Sequence, residues 1–182
     1  MMKRILLFLI PLFFIGGCEK KNETKLSGEI QLSSQLFGSE TYFLYGYNYS
    51  LSDYIKYSFP FQGSSIPDLI NLPFKNTDGT LSAPGFNAPT GVNGFNLLGE
   101  FASQGDAKEF YDNYIDAASI NTFSVDSDTV RTNQVWLQKT KQAHYVKMLV
   151  KKIDYYTDGF GADYVVVSMD FKYQNNGSAI FP

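Results

Sequence analysis

A mainly β fold of the β-rich α+β class, an antiparallel sheet or sandwich covered by one amphipathic helix, is predicted by three observations. Sixteen Phe, thirteen Tyr and one Trp make the chain aromatic-rich, and aromatic side chains favour the pleated, half-buried surface of a sheet. Its last third holds three successive runs with strand patterning, separated by turn-forming residues. Between residues 104 and 117, one segment repeats its apolar positions at helical spacing instead.

The opening of the chain lies outside that fold. Met1-Met2-Lys3-Arg4 is a short basic head, and Ile5 to Ile15 is an apolar run broken only by Pro11. Eleven residues span about 16 Å as a helix, roughly half of a bilayer's hydrocarbon core. Residues 1–17 therefore read as a removable leader and not as a permanent span. Small residues precede Cys18, the sole cysteine, and Ile15-Gly16-Gly17-Cys18 resembles the bacterial lipobox. The resemblance implies that Cys18 receives a diacylglyceryl group and becomes the first residue, carrying two or three acyl chains. One myristoyl-length chain binds a membrane only marginally, so several would hold it there. The alternative is a plain secretory leader with an incidental cysteine.

Residues 18–25 then form the lipidated cysteine and a tether. Glu19-Lys20-Lys21-Asn22-Glu23-Thr24-Lys25 contains no apolar residue and cannot build a core. Glu19 is not the aspartate that resembles an inner-membrane retention signal. The expected location is the outer membrane, on its periplasmic or its surface face. Lys3 and Arg4 leave with the leader, so 13 basic residues face 18 acidic ones, a balance of −5. That balance argues against nucleic acid or an anionic membrane surface as a partner, because both require a basic patch. Lipidation of the only thiol leaves no disulfide.

Residues 26–182 are expected to form a single β-rich domain. Leu26 to Ser33 alternates as a first strand, and Thr41 to Tyr49 is apolar on both faces, as a central strand would be. Ile55, Tyr57, Phe59 and Phe61 alternate with polar residues until Pro60, which cannot join a ladder and ends the strand or confines it to an edge. Proline and glycine punctuate residues 62–103, where short strands at Leu69 to Leu72 and Phe95 to Phe101 are expected, with a turn at Asp78-Gly79. Ala107, Phe110, Tyr111, Tyr114, Ile115 and Ala118 make one apolar stripe of a helix over 104–117 that covers the sheet. Ser103 with Asp106 three residues later resembles a capping box. Strands at Gln134 to Thr140, His144 to Asp154 and Tyr164 to Tyr173 close the chain as a meander with one buried face.

Three stretches of that closing region carry a second resemblance. Gln134-Val135-Trp136-Leu137-Gln138-Lys139-Thr140, Tyr145-Val146-Lys147-Met148 and Phe171-Lys172-Tyr173-Gln174-Asn175-Asn176-Gly177-Ser178 are similar to the closing hairpins of HmuY-type haem-carrying lipoproteins of Bacteroidota. The resemblance covers about the last fifty residues and implies a β-dominated domain of the cell envelope. Haem in that family sits between two axial side chains, commonly histidines, and this chain has only His144. A His/Met pair is chemically possible, but His144 and Met148 stand about 13 Å apart along one strand face. The remaining haem candidates are Met169 on the neighbouring strand, Met148 without His144, or His144 alone. The simpler reading puts His144 at a strand start near solvent and both methionines in the core, with no cofactor.

Chemistry is otherwise sparse. A nucleophilic triad would have to use His144, and no nucleophile elbow, zinc helix or phosphate loop is present. The expectation is a protein without catalytic activity. Asp126-Ser127-Asp128 lacks the spaced oxygens of a calcium loop and reads as a turn. Tyr42, Tyr45, Tyr47, Tyr49, Tyr54 and Tyr57 form a tyrosine-rich stretch, either a sugar-binding surface or ordinary strand formers. Asp128-Thr129-Val130 resembles the acceptor triplet of Bacteroidota O-glycosylation, which would make Thr129 the acceptor. The expected role is a membrane-anchored module binding a small molecule or glycan, with a structural partner of an outer-membrane complex as the competing class. A deep cavity favours the first and a flat apolar patch the second.

Overall fold

A computed structural model describes residues 24–182 apart from Gln62 and Ser64; Cys18 and the leader lie outside the described residues. Five strands form one antiparallel sheet: β1 (Ser27–Ser33), β8 (Gly94–Glu100), β9 (Gln134–Lys139), β10 (Tyr145–Thr157) and β11 (Asp163–Gln174), in the order β1-β11-β10-β9-β8. The closing meander sits at its centre, and the first strand returns to pair with the last, Ile30 opposite Met169. The described residues are mainly β, with one helix, as the patterning predicts.

Short β pieces cover one face of this sheet. A hairpin of β2 (Tyr42–Asn48) and β3 (Asp53–Phe59) lies beside a ribbon of β4 (Ile70–Asn71) with β7 (Phe86–Asn87) and a hairpin of β5 (Phe74–Lys75) with β6 (Leu81–Ala83). Between these layers lies the main core, including Ile30, Leu32, Tyr49, Phe86, Trp136, Met148, Val167, Met169 and Phe171. Val167, Met169, Phe171 and Tyr173 point into it, and Val165 on the same strand face is buried too, the alternation their spacing predicts.

The helix α1 (Gln104–Asn113) and the C-terminal residues cover part of the opposite face, over β8, β9 and β10. Ser103 caps the helix by accepting the Asp106 N–H at 3.1 Å, and its hydroxyl donates to the Asp106 carboxylate. Ala107 and Tyr111 are buried against Val135 and Leu149. Central strands are therefore buried on both sides, where a single buried face was expected.

Three further expectations are corrected. The helix stops at Asn113, four residues early, because the following backbone pairs with the chain end: Ala117 N–H donates to Ala179 C=O and Phe181 N–H to Ile115 C=O. Ile115, expected on the packing stripe, is consequently 55% exposed, and Ala118 is exposed too. The strand at 41–49 belongs to a two-stranded sheet, not to the centre of the large one. Its two apolar faces are explained by packing between layers, with Leu44, Tyr47 and Tyr49 buried. On β3, Ile55, Tyr57 and Phe59 are only half-buried and Phe61 is exposed, although the strand does end before Pro60. Among the described residues, no helix is long and apolar enough to cross a membrane.

Candidate functional site

Glycine at position 46 allows the cover to lie close. A Cβ there would come within 2.6 Å of the Leu69 carbonyl oxygen and of Pro67 Cβ, so only a residue lacking one lets the 67–70 segment cross β2. The buried Asp68 carboxylate accepts the Tyr49 N–H at 3.0 Å, and the Asp68 carbonyl accepts Gln138 Nε2, tying the cover to β9. Burial raises the Asp68 carboxyl to about 6, against the opposing effect of the Tyr49 hydrogen bond. Asn71 donates to the Leu32 and Val165 carbonyls, fastening β4 across the ends of β1 and β11. These ties fix the position of Leu72 and Pro73.

A cleft of about 380 Å³ opens between that fastened segment and the β10–β11 hairpin. Leu36, Leu44, Leu72, Pro73 and Tyr164 supply its apolar lining. Ser34 locks one wall by exchanging two hydrogen bonds with the Val165 backbone, both 2.9 Å. Tyr164 is held by stacking on Tyr156, with ring centroids 5.4 Å apart. Lys75, Asp158 and Asp163 stand at the rim. One oxygen of each carboxylate is engaged: Asp158 Oδ1 accepts the Phe160 and Ala162 N–H groups, and Asp163 Oδ1 accepts the Thr157 hydroxyl. The volume lies within the range of roughly 300–1,000 Å³ usual for small-molecule sites, and an apolar wall with a few polar groups is their usual lining.

A larger depression, about 530 Å³, lies on the outer face of the sheet among Glu29, Gln31, Lys151, Lys152 and Asp154. Its cations already have partners: Lys151 pairs with Glu29 at 2.9 Å and Asp170 at 3.2 Å, and Lys152 with Asp154 at 2.9 Å. It is a solvated ion-pair surface offering a ligand little desolvated contact. The apolar cleft is the better candidate on chemistry.

The tyrosine-rich stretch does not form one platform. Tyr47 and Tyr49 belong to the core, and the Tyr54 hydroxyl accepts the Gln31 N–H on the open edge of β1. Tyr57 is half-buried beside Phe59 and Phe61. Tyr42, Tyr45 and Tyr54 remain exposed, but Tyr42 points to the face of the hairpin opposite Tyr45 and Tyr54.

Met148 and Met169 are both fully buried in the main core, and the Tyr49 hydroxyl donates to the Met148 sulfur at 3.2 Å. His144 lies just before β10, half-buried, with Nδ1 2.7 Å from the Tyr173 hydroxyl. An iron atom could reach either sulfur only by displacing packed core side chains. Thr129 is half-buried between exposed Asp128 and buried Val130. Ser127 in the neighbouring turn accepts the Phe86 N–H and donates to the Asp128 carbonyl, while Asp126 accepts from Asn87. No cluster of three or more His, Cys, Asp or Glu side chains suited to a metal occurs among the described residues.

Neither a scan against protein-family models nor a search of curated proteins returns a match for this chain. The cleft residues carry no sequence motif, since they come from four separated segments. The one legible sign is Asp158-Gly159-Phe160-Gly161, where an aromatic residue occupies the middle of a glycine-flanked turn.

Proposed function

We propose that this chain is a bacterial outer-membrane lipoprotein, anchored through Cys18, whose domain binds a small, mainly apolar molecule without catalysing its conversion. One observation carries the ligand-binding part: a cleft of about 380 Å³ walled by Leu36, Leu44, Leu72 and Pro73. The divided tyrosines favour a small molecule over a glycan, because sugar recognition requires rings presented on one face. The non-catalytic reading draws on the single imidazole, which hydrogen-bonds Tyr173 and does not line the cleft, and on the two rim carboxylates, Asp158 and Asp163, which accept hydrogen bonds from the hairpin itself.

The first described residues and the cleft lie at opposite ends of β1. Thr24 and Lys25 hydrogen-bond Ser50 and Ser52 at the β2–β3 turn, beside the strand's first residues. Seven residues later the chain reaches Ser34 and Leu36 in the cleft wall, about 20 Å away at strand rise.

A second reading, an assembly partner of an outer-membrane complex, draws on the partly exposed aromatic group of Phe37, Phe43 and Tyr45, whose centroids lie 5.5 to 6.1 Å apart. Fluorescence titration with phenylnaphthylamine separates the two in protein carrying Cys18→Ser, which has no acyl chain to bind the dye. Saturable binding is expected, weakened about tenfold or more by Leu36→Asp, since an unpaired charge against an apolar ligand costs well over 1.4 kcal/mol. Binding untouched by Leu36→Asp but removed by Tyr45→Ser would transfer the site to the hairpin.

A further inference from the structure

At the tip of the β10–β11 hairpin, Phe160 is 99% exposed and packs on nothing. Burying a phenylalanine side chain is worth about 1.5–3 kcal/mol, so this ring holds unused apolar surface. Its position beside the cleft is what gives that surface a use. Asp158 and Ala162, two residues before and two after it, both line the cleft, and two residues of chain reach at most about 7 Å. The tip is also held in place. Asp158 N–H donates to the Ala162 carbonyl, Gly161 N–H to the Asp158 carbonyl, and the Asp158 side chain accepts two further tip N–H groups. Gly161 takes φ +83°, and neither it nor Gly159 has a neighbouring atom within 4 Å of where a Cβ would stand. The backbone at the cleft mouth is thus pre-set, and the Phe160 side chain is free to turn without disturbing it.

We propose that Phe160 is a clamp for the cleft, swinging about its side-chain torsions onto the outer face of a molecule seated against Leu36, Leu72 and Pro73. The inference rests on the ligand-binding reading of the cleft and adds the class of ligand. The rim carries two carboxylates, Asp158 and Asp163, against the single ammonium of Lys75, so an anionic group at the mouth meets net repulsion. An apolar wall and an aromatic cover suit an uncharged ring system. The occupant is therefore a neutral apolar molecule about the size of a few linked rings.

Phenylnaphthylamine and anilinonaphthalene sulfonate share one ring skeleton and differ by a sulfonate, so together they test both parts. Each is titrated into the full chain carrying Cys18→Ser and into its Phe160→Ser and Phe160→Leu variants, with thermal midpoints recorded alongside. The neutral dye is expected to bind at least several-fold tighter than the sulfonate. Phe160→Ser should weaken the neutral dye about tenfold, the worth of covering roughly half a phenylalanine ring. Phe160→Leu should restore most of that loss, and neither change should move the thermal midpoint of the free protein. Equal affinity in Phe160→Ser and the parent overturns the clamp and leaves the cleft standing as a ligand site. A sulfonate that binds as tightly as the neutral dye overturns the ligand class. No saturable binding of either dye to the parent overturns the clamp together with the reading beneath it.

Discussion

Lys147 shows how one residue couples two covers to the sheet. It points from β10 to the face opposite the main core and is 1% exposed, with its ammonium donating to the Tyr114 carbonyl. Ring centroids of Tyr111 and Phe181 lie 4.9 and 5.2 Å from the nitrogen, so the helix and the chain end share one cation. No carboxylate lies within salt-bridge distance of it among the described residues. Burial pushes its pKa down to about 8, with Lys172 adding to the effect and Asp112 opposing it. Between pH 8 and the ordinary lysine value the folded protein releases a proton that the unfolded chain keeps. Stability contributed by this site therefore rises with pH across that window. Above about pH 10 the trend reverses, because burial raises the phenols of Tyr49, Tyr111 and Tyr173 and the unfolded chain ionises first. Denaturant melts at pH 7 and 9.5 should show the parent gaining on Lys147→Met as pH increases. A difference that stays constant with pH would mean that Lys147 titrates normally in the fold.

The helix gives the sharpest prediction at the scale of an element. Tyr111→Ala, which empties the contact with Val135 and Leu149, should cost about 3–4 kcal/mol, as buried aromatic truncations do. Glu109→Ala and Ile115→Ala should both stay within about 0.5 kcal/mol, since both residues are exposed. Chemical denaturation checks all three, and a large loss at Ile115 would restore the longer helix that periodicity predicts. That periodicity marked Ala107 and Tyr111 correctly but ran past Asn113, because helical spacing carries no record of the backbone pairing with 179–181 that ends the helix. The same limit applies elsewhere. Alternation placed β1, β9, β10 and β11 to within a few residues, since each has one face on a continuous core. It misjudged β2, whose two apolar faces come from lying between layers. It missed β5, β6 and β7, which are two or three residues long and held by contacts distant in sequence. The cleft was illegible for a related reason: ordinary leucines and a proline become a site only when Gly46, Asn71 and Ser34 bring their segments together.

For the whole molecule, the proposed function has two parts, an anchor at Cys18, outside the described residues, and a ligand cleft beside the β10–β11 hairpin. Cells fed labelled palmitate should incorporate label into the parent and not into Cys18→Ser, which should be released in soluble form or keep its leader. Label persisting in Cys18→Ser would contradict the anchor. The ligand site itself is tested most directly by backbone-amide NMR of isotope-labelled Cys18→Ser protein titrated with phenylnaphthylamine. Saturable shifts are expected at Ser34–Leu36, Leu72–Lys75 and Asp158–Tyr164, with the β2–β3 turn and the Glu29–Lys151 surface unmoved. Shifts centred on Tyr45 or on Lys151, or no saturable shift at all, would contradict that site.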